Sequence, residues 1–216
     1  MPDGRIPEAT VARLPGYLKV LTDAAKAGVD TLASEDLAQA SGVNAAKVRK
    51  DLSFLGANGT RGVGYDVDRL AARLSKALGL VSDRPMILVG LGNLGRALAS
   101  YGGFADHGFR LVGLVDADPT VTGGRFAGLP VTPAEDLEGL IAAHGVTVAV
   151  LAVPASAAQA VVDRLVAAGV RAILSFAPIH LQVPPRVTLR RVDLATELQI
   201  LAFYSKLDPV PGDDLG

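Results

Sequence analysis

The sequence predicts an α/β protein in which a small helical domain precedes a larger domain built on a parallel sheet. Apolar residues recur at helical spacing through the first 80 residues. From residue 85 onward, short apolar runs alternate with helical patterns, which is typical of parallel strands joined by helical crossovers. The residues are 50% hydrophobic but only 5% aromatic, which favours a core of Val, Leu, Ile and Ala between helices and a parallel sheet.

The first domain starts with a predicted helix over residues 7–27. Pro15 lies inside this pattern and favours either a kink or a later start, because proline lacks the N–H that an interior helical position donates. A second, shorter helix is predicted over residues 35–40. Ser34 is its expected N-cap, and its first turn is acidic.

A third helix is predicted over residues 44–55, with Asn44 as its N-cap. Two short helices separated by a turn that contains glycine indicate a helix-turn-helix. Residues 56–65 are rich in glycine and alternate with larger side chains, which predicts a hairpin-like wing. One more helix, over residues 66–79, completes the domain, and we place the domain boundary at residues 80–84.

Lysine and arginine outnumber acidic residues between positions 43 and 65, where Asp51 is the only acid. Lys47 and Lys50 share one face of a helix that is narrow enough for a DNA major groove. Arg49 points elsewhere, and we expect it to hold phosphate, or to pair with Asp51 or the wing. A solvated surface face is the alternative for each cation. The predicted DNA contacts are Asn44, Lys47, Arg49, Lys50, Ser53, Arg61 and Tyr65.

The second domain is predicted over residues 85–192. Its expected strands cover residues 86–89, 111–115, 146–153, 171–175 and 187–192. Its expected helices are one that ends at Tyr101, one that Thr132 caps with Pro133 in its first turn, and one over residues 156–168. A final helix over residues 193–207 is apolar nearly all round and therefore needs burial on more than one side. Residues 208–216 form a tail that we predict to be disordered.

A glycine-rich turn follows the first strand of this domain and opens a helix, and this context makes G-x-G-x-x-G specific for a dinucleotide. Gly90 allows the tight turn, Gly92 lets the backbone approach a pyrophosphate, and Gly95 lets helix and strand pack closely. Free N–H groups at the helix start face the anion. The motif predicts a Rossmann-like fold with a dinucleotide at Gly90, Leu91, Gly92, Asn93, Leu94 and Gly95.

Asp116 ends the second strand, 21 residues after Gly95. Its carboxylate can accept hydrogen bonds from both ribose hydroxyls and repels a 2′-phosphate. No lysine or arginine follows Asp116 until Arg125, which favours NAD(H) over NADP(H). Coenzyme A, and a glycine turn without a ligand, are the alternatives.

Candidates for catalysis are few. The chain has no cysteine, which excludes disulfides, thiolate metal sites and a cysteine nucleophile. Of the three histidines, only His180 lies on a loop at the carboxyl edge of the predicted sheet, and a surface or packing role is the better interpretation. We therefore expect no catalytic residue and no metal.

Two classes of function remain: a DNA-binding redox sensor, and a small NAD-dependent oxidoreductase with a helical dimerisation domain. The sequence also lacks a membrane-spanning run and a signal-peptide core, from which we expect a cytoplasmic protein.

The combination of motifs resembles the Rex family of redox-sensing transcriptional repressors of bacteria. The resemblance runs from about Ile6 to Leu207. The segments that carry it are VRKDLSFLG at residues 48–56, GTRGVGY at 59–65, the glycine motif at 90–95, YGGF at 101–104, VP at 153–154, FAP at 176–178 and VDL at 192–194.

The resemblance implies a homodimer that binds palindromic operator DNA when NADH is scarce and releases it when NADH binds, with NAD+ as a competing ligand. It implies repression of respiratory and fermentative genes, and a C-terminal helix that is exchanged between subunits. Residues 44–55 match the family's recognition helix, and residues 59–65 match its wing. The implied dinucleotide contacts beyond the glycine turn and Asp116 are Val153, Pro154, Phe176, Ala177 and Pro178, with a polar network of Tyr101, Asp193 and Arg13.

Overall fold

The structure is a computed structural model that describes residues 6–60 and 62–205. The chain divides into two compact units, an N-terminal unit of residues 1–82 and a C-terminal unit of residues 83–216. Within the described ranges, no helix is long and apolar enough to cross a membrane. The predicted tail at 208–216, the predicted end of the last helix at Leu207, and Arg61 lie outside these ranges.

The N-terminal unit packs four helices around a single apolar core that includes Leu14, Leu21, Leu37 and Leu74. A two-stranded antiparallel sheet completes it. The elements in order are α1 (Glu8–Lys26), β1 (Thr31–Leu32), α2 (Ser34–Ala40), α3 (Ala45–Ser53), β2 (Tyr65–Asp66) and α4 (Val67–Ala77). The predicted helix-turn-helix is thus the pair α2 and α3.

In this unit one of the two alternatives for Pro15 is excluded, and the expected cap at Ser34 is wrong. Helix α1 begins at Glu8 and runs through Pro15, so the later start does not occur; buried side chains on both sides of the proline, Leu14 and Tyr17, hold this turn in the core. Ser34 is the first residue of α2 rather than its cap, and the N-cap position is Ala33, which makes no side-chain cap. The Ser34 hydroxyl is instead engaged by side chains, because it donates to Glu35 and accepts from Arg49.

The wing is a tight hairpin. Thr60 N–H donates to the Gly64 carbonyl at 2.8 Å, and Gly64 N–H donates to the Thr60 carbonyl at 2.9 Å. Gly64 has a φ of +103°, and a Cβ there would lie 2.4 Å from the Leu32 carbonyl oxygen. Only glycine therefore lets the hairpin rest on β1.

The C-terminal unit is built on a seven-stranded sheet of order β5-β6-β4-β3-β7-β8-β9, which is parallel except for the β5–β6 pair. From β6 to β9 this is the doubly wound order of dinucleotide-binding folds, so the predicted fold class is confirmed. The elements are β3 (Arg84–Val89), α5 (Asn93–Ala99), α6 (Gly103–Asp106), β4 (Phe109–Asp116), β5 (Arg125–Phe126), β6 (Leu129–Pro133), α7 (Leu137–His144), β7 (Val148–Leu151), α8 (Ala155–Ala167), β8 (Ala172–Ser175), β9 (Thr188–Arg191) and α9 (Leu194–Tyr204).

The predicted cap at Thr132 is wrong. Thr132 and Pro133 belong to β6, where they lie beside Val115 and Asp116 of the parallel strand β4. A 3₁₀ turn, Ala134–Asp136, separates this strand from α7.

Helix α9 has a side-chain cap at its start but no buried residue among those described. The Asp193 carboxylate accepts a hydrogen bond from Thr196 N–H at 3.2 Å and caps the helix. Within the described chain, none of the α9 residues is buried, and Leu198 and Phe203 are 66% and 62% exposed. The apolar surface that predicted burial on several sides is uncovered in the single chain.

Candidate functional site

Two of the three motif glycines are required by the packing of the turn between β3 and α5. Gly90 has a φ of +98°, and a Cβ on it would lie 2.5 Å from the Ala152 carbonyl oxygen. A Cβ on Gly95 would lie 1.8 Å from the Gly90 carbonyl oxygen. These residues bring strand, turn and helix into backbone contact, which no larger side chain permits.

Gly92 is a different case. Its φ of −64° suits any residue, and a Cβ on it would meet no heavy atom within 4 Å among residues 6–60 and 62–205. Neither backbone conformation nor packing accounts for a glycine there. Its missing side chain leaves open space over the start of α5, where the backbone could approach a pyrophosphate. The turn thus fits a dinucleotide.

Asp116 fastens this turn to the end of β4. Its Oδ2 accepts a hydrogen bond from Leu91 N–H at 2.5 Å, and its Oδ1 accepts one from Asp118 N–H at 2.8 Å. Each oxygen retains a further lone pair, so the carboxylate can still accept from a ribose hydroxyl. Asp116 therefore shapes the site as well as facing it.

The turn and Asp116 line a cavity of about 730 Å³, a size that suits a cofactor. Of the predicted dinucleotide contacts, the lining holds Gly90, Leu91, Gly92, Asn93, Leu94, Asp116, Val153, Pro154 and Phe176. Gly95 lies behind the turn instead, buried against its backbone. Ala177 is buried with its N–H directed at the Ser175 hydroxyl, and neither it nor Pro178 lines the cavity.

Tyr101 and Asp193 do not line this cavity either. Tyr101 is exposed and packs edge-to-face on Phe104, with ring centroids 5.1 Å apart. Asp193 caps α9, and the hydrogen bond from Thr196 N–H holds its pKa below the ordinary range. The polar network that the resemblance implies near the nicotinamide stays a prediction.

Sequence reasoning missed Arg96 and Asp118, which also line the cavity. Arg96 Nε donates to the Leu91 carbonyl at 3.0 Å, and its guanidinium lies 5.6 Å from the ring centroid of Phe126. Asp118 accepts hydrogen bonds from the N–H and hydroxyl of Thr120, which lower its pKa. Arg96 directly follows the motif, and that position was the available signal.

The predicted DNA-contacting side chains of α3 are exposed: Asn44, Lys47, Arg49, Lys50 and Ser53. The prediction that Asn44 caps α3 is confirmed, because its side chain accepts from Lys47 N–H at 2.8 Å. The Ser53 hydroxyl donates to the Lys50 carbonyl at 2.6 Å. The exposed surface carried by these five residues is called the α3 surface below.

The structure corrects one of the predicted DNA contacts, Tyr65. It is buried in the core of the N-terminal unit, and burial raises the pKa of its phenol. The alternation that placed it in the wing instead directs its ring inward, beneath Gly59, where a Cβ would lie 3.2 Å from the ring.

Arg49 has other partners than Asp51 or the wing, while its expected contact with phosphate stays a prediction. Its Nη1 donates to Glu35 Oε1 at 3.0 Å and to the Ser34 hydroxyl at 2.9 Å. The partners therefore come from α2, not from Asp51 or the wing. Both Arg49 and Glu35 are exposed, so water screens this ion pair.

Asp51 accepts a set of buried side-chain hydrogen bonds in the N-terminal unit. It is 2% exposed and accepts hydrogen bonds from Thr10, Arg13 and Tyr17 of α1. Burial opposes its ionisation, but these hydrogen bonds outweigh burial and lower its pKa. The hydrogen bond and charge of Asp51 raise the pKa of Arg13, whereas burial first and Asp51 second raise the pKa of Tyr17 to about 12.

Arg13 belongs to this network around Asp51. Its guanidinium makes a bidentate contact with Asp51 inside the N-terminal unit, with the Nε–Oδ2 distance at 2.7 Å. The place of Arg13 in a network near the nicotinamide, which the resemblance implies, stays a prediction. Among the described residues, no group of three or more His, Asp or Glu side chains could hold a metal ion.

Two family models match the chain, one for each unit. The first is described as "Putative DNA-binding protein N-terminus" and matches residues 5–53. The second is described as "CoA binding domain" and matches residues 81–179.

Relatives match over almost the whole chain. The redox-sensing transcriptional repressor Rex of Streptomyces avermitilis is 58% identical over 93% of this chain and 80% of that protein. The repressor of the same name from Desulfitobacterium hafniense is 46% identical over 92% of this chain and 95% of that protein.

Solved structures match similarly. The Rex-family repressor RSP in complex with NAD+ and operator DNA has a TM-score of 0.88 and 36% identity, and the match covers 94% of both chains. RSP in complex with NADH has a TM-score of 0.81 and 35% identity, over 94% of this chain and 99% of that one.

Proposed function

Because this chain belongs to the Rex family of redox-sensing transcriptional repressors, we propose that it binds operator DNA through the α3 surface and wing, and NADH in the cavity at residues 90–95. NADH binding releases the DNA, and NAD+ competes for the same cavity. The target genes of such a switch encode proteins of respiration or fermentation. The protein acts in the cytoplasm, where DNA and the dinucleotide are both present.

Gly92 is the observation that carries the ligand half of this proposal. Gly92 has no conformational or packing requirement and lines the cavity at the start of α5, so it leaves room for a ligand in place of a side chain. Asp116 and Asp118 in the lining of the cavity favour a ribose diol over a 2′-phosphate. The ligand is therefore NAD(H) rather than NADP(H) or coenzyme A.

The protein is a transcription regulator and not an oxidoreductase, because its relatives over most of its length are repressors. The described lining of the cavity contains acids and Arg96, and backbone N–H groups already donate to Asp116. His180 lies in a separate open crevice with Gln159 and Asp163.

The apolar surface of α9 and the two half-sites of a palindromic duplex both support a homodimer. The exposed apolar side chains of α9, among them Leu198 and Phe203, form an apolar surface that a second copy of the chain would cover. A two-fold dimer presents two α3 surfaces, which match the two half-sites of a palindromic duplex.

The switch is a coupling between two binding events. A ligand shifts the DNA-binding state only by its differential affinity for the two states. NADH must therefore bind the DNA-free protein more tightly, and operator DNA must weaken NADH binding by the same factor. NAD+ differs by a positive ring charge, which is costly to bury unless it is paired.

The test is a fluorescence titration of the full chain with NADH, in the absence and in the presence of saturating operator. The operator is a palindromic duplex that the protein itself has enriched from a random pool of sequences. We expect NADH affinity to fall on the operator by at least about tenfold, which is a coupling of about 1.4 kcal/mol. NAD+ should show a smaller difference. Equal NADH affinity with and without operator would contradict the proposed switch, and a scrambled duplex of the same length is the control.

A further inference from the structure

We propose that Asp51, through its hydrogen bonds with Thr10, Arg13 and Tyr17, fixes the rotation of α3 about its own axis and thereby sets which DNA sequence the protein prefers. This inference rests on the proposed DNA-binding function and assigns Asp51 as a positioning residue. We call these four side chains the Asp51 network.

The Asp51 network uses both oxygens of the carboxylate. Oδ1 accepts from the Thr10 hydroxyl and from Arg13 Nη2, each at 2.8 Å. Oδ2 accepts from Arg13 Nε at 2.7 Å and from the Tyr17 hydroxyl at 2.8 Å. Four hydrogen bonds thus converge from different directions on one buried side chain.

The three donors come from one side of α1. Positions 10, 13 and 17 are separated by three and four residues, so they lie on one helical face over about 10 Å of axis. Their convergence on α3 leaves the carboxylate little freedom to turn, because hydrogen bonds weaken steeply as the donor angle departs from linear.

The other buried contacts of α3 do not fix its rotation as closely. Val48 and Leu52 are buried in the core, but apolar contacts are not directional and tolerate small rotations. A rotation of about 20° would move a side-chain tip about 8 Å from the axis by about 3 Å, which is enough to change the base that it meets.

Arg49 ties the opposite flank of α3 to Glu35 and Ser34 of α2. At 100° per residue, Arg49 and Asp51 project about 160° apart around the helix. The exposed ion pair of Arg49 is screened by water, whereas Asp51 is shielded, so the buried flank is the stronger restraint. Lys50 and Ser53 lie on the side that faces away from the core and are aimed by this restraint.

Stability alone would not call for a carboxylate at this position. A buried ion pair must overcome the desolvation of both charges, and apolar side chains of similar size often replace such pairs without loss. What the Asp51 network adds over apolar packing is orientation. The role that distinguishes it from a structural contact is therefore discrimination between DNA sequences, not affinity for DNA in general.

The test uses mild variants that remove one donor each and keep the shape. Tyr17→Phe and Thr10→Val each delete one hydroxyl that contacts Asp51, whereas Thr10→Ser keeps the hydroxyl. Thr22→Val is the matched control, because the Thr22 hydroxyl donates to the Leu18 carbonyl of α1 itself at 2.9 Å. Dissociation constants are measured without NADH, at one salt concentration, for the enriched operator and for a scrambled duplex of equal composition.

We expect Tyr17→Phe and Thr10→Val to lower the ratio of operator to scrambled affinity by about fivefold or more, with scrambled affinity unchanged within about twofold. Thr10→Ser and Thr22→Val should keep the wild-type ratio, and all four variants should bind NADH as the wild type does. A repeated enrichment from the random pool with Tyr17→Phe should give a less defined sequence.

An unchanged ratio in the two hydroxyl-deleting variants, or a parallel loss on both duplexes, would overturn the positioning role while the proposed function stands. A wild-type chain that does not distinguish the two duplexes would overturn both.

Discussion

The α3 surface and the glycine-turn cavity hold their shapes by opposite means. The orientation of α3 depends on side chains that meet across the N-terminal unit, such as Asp51 with Thr10, which lies 41 residues away. The cavity depends on side chains that are missing, since Gly90 and Gly95 let backbone approach backbone. The difference predicts that the orientation of α3 is lost when side-chain atoms are removed, and that the cavity is lost when atoms are added.

Gly95→Ala should have the largest effect. The new Cβ would lie 1.8 Å from the Gly90 carbonyl oxygen, a backbone atom that cannot move without opening the turn. We expect the free energy of unfolding to fall by about 3 kcal/mol and NADH binding to be lost. Calorimetry and fluorescence titration measure the two effects.

Gly139→Ala is the control for Gly95→Ala. Gly139 lies inside α7, and a Cβ there would meet no heavy atom within 4 Å among the described residues. Alanine should leave stability unchanged or raise it by about 0.5–1 kcal/mol. Equal melting temperatures for the two variants would contradict the backbone contact at Gly95.

Gly92→Ala separates ligand binding from folding. Its Cβ would enter open space, so the free energy of unfolding should change by less than about 1 kcal/mol. NADH affinity should fall by about tenfold or more, because the methyl group takes the place of the pyrophosphate. Unchanged NADH affinity in the folded variant would show that the ligand does not approach this part of the turn.

Lys50→Ala removes side-chain atoms from the α3 surface, where the glycine variants add atoms to the turn. Removal of this exposed side chain should leave folding and NADH binding intact and weaken operator binding by about 1–3 kcal/mol if it reads a base. If Lys50 instead contacts phosphate, the salt dependence of binding should fall by about one unit of slope. Lys26→Ala, in the last turn of α1, removes an equal charge from another helix and should change affinity less.

Glu35→Gln should have the smallest effect and an opposite sign. The change releases Arg49 from its ion pair and removes a negative charge beside the α3 surface. Affinity for any duplex, operator or scrambled, should rise by about two- to threefold at low salt. Asp36→Asn, the neighbouring acid in the same turn of α2, tests whether charge alone explains the gain. An equal gain from both would remove the specific role of the ion pair.

Prediction from sequence succeeded at the glycine turn and at the cap of α3, where conformation is encoded locally. The motif around Gly90 and the cap at Asn44 each depend on residues within a few positions, so their spacing alone is informative. The parallel sheet follows from the alternation of apolar strands and helices in the same way.

Long-range side-chain contacts were not predictable in this way. The partners of Asp51, the pairing of Arg49 with Glu35, and the burial of Tyr65 all depend on how α1, α2 and the wing pack around α3. The predicted cap at Thr132 was wrong for a related reason, because the pairing of this residue with β4 outweighed the local pattern of a capping threonine followed by proline. Residue type predicted that α3 carries charges, but not which of them would be engaged.

The uncovered apolar surface of α9 makes the stability of this fold depend on how much of the protein is present. If a second copy covers Leu198 and Phe203, assembly and folding share one equilibrium, and mass action adds stability as concentration rises. The melting temperature should then climb with protein concentration, and dilution should loosen α9 first. A cell that keeps few copies of this regulator thereby limits the fraction that can occupy DNA, independently of its redox state.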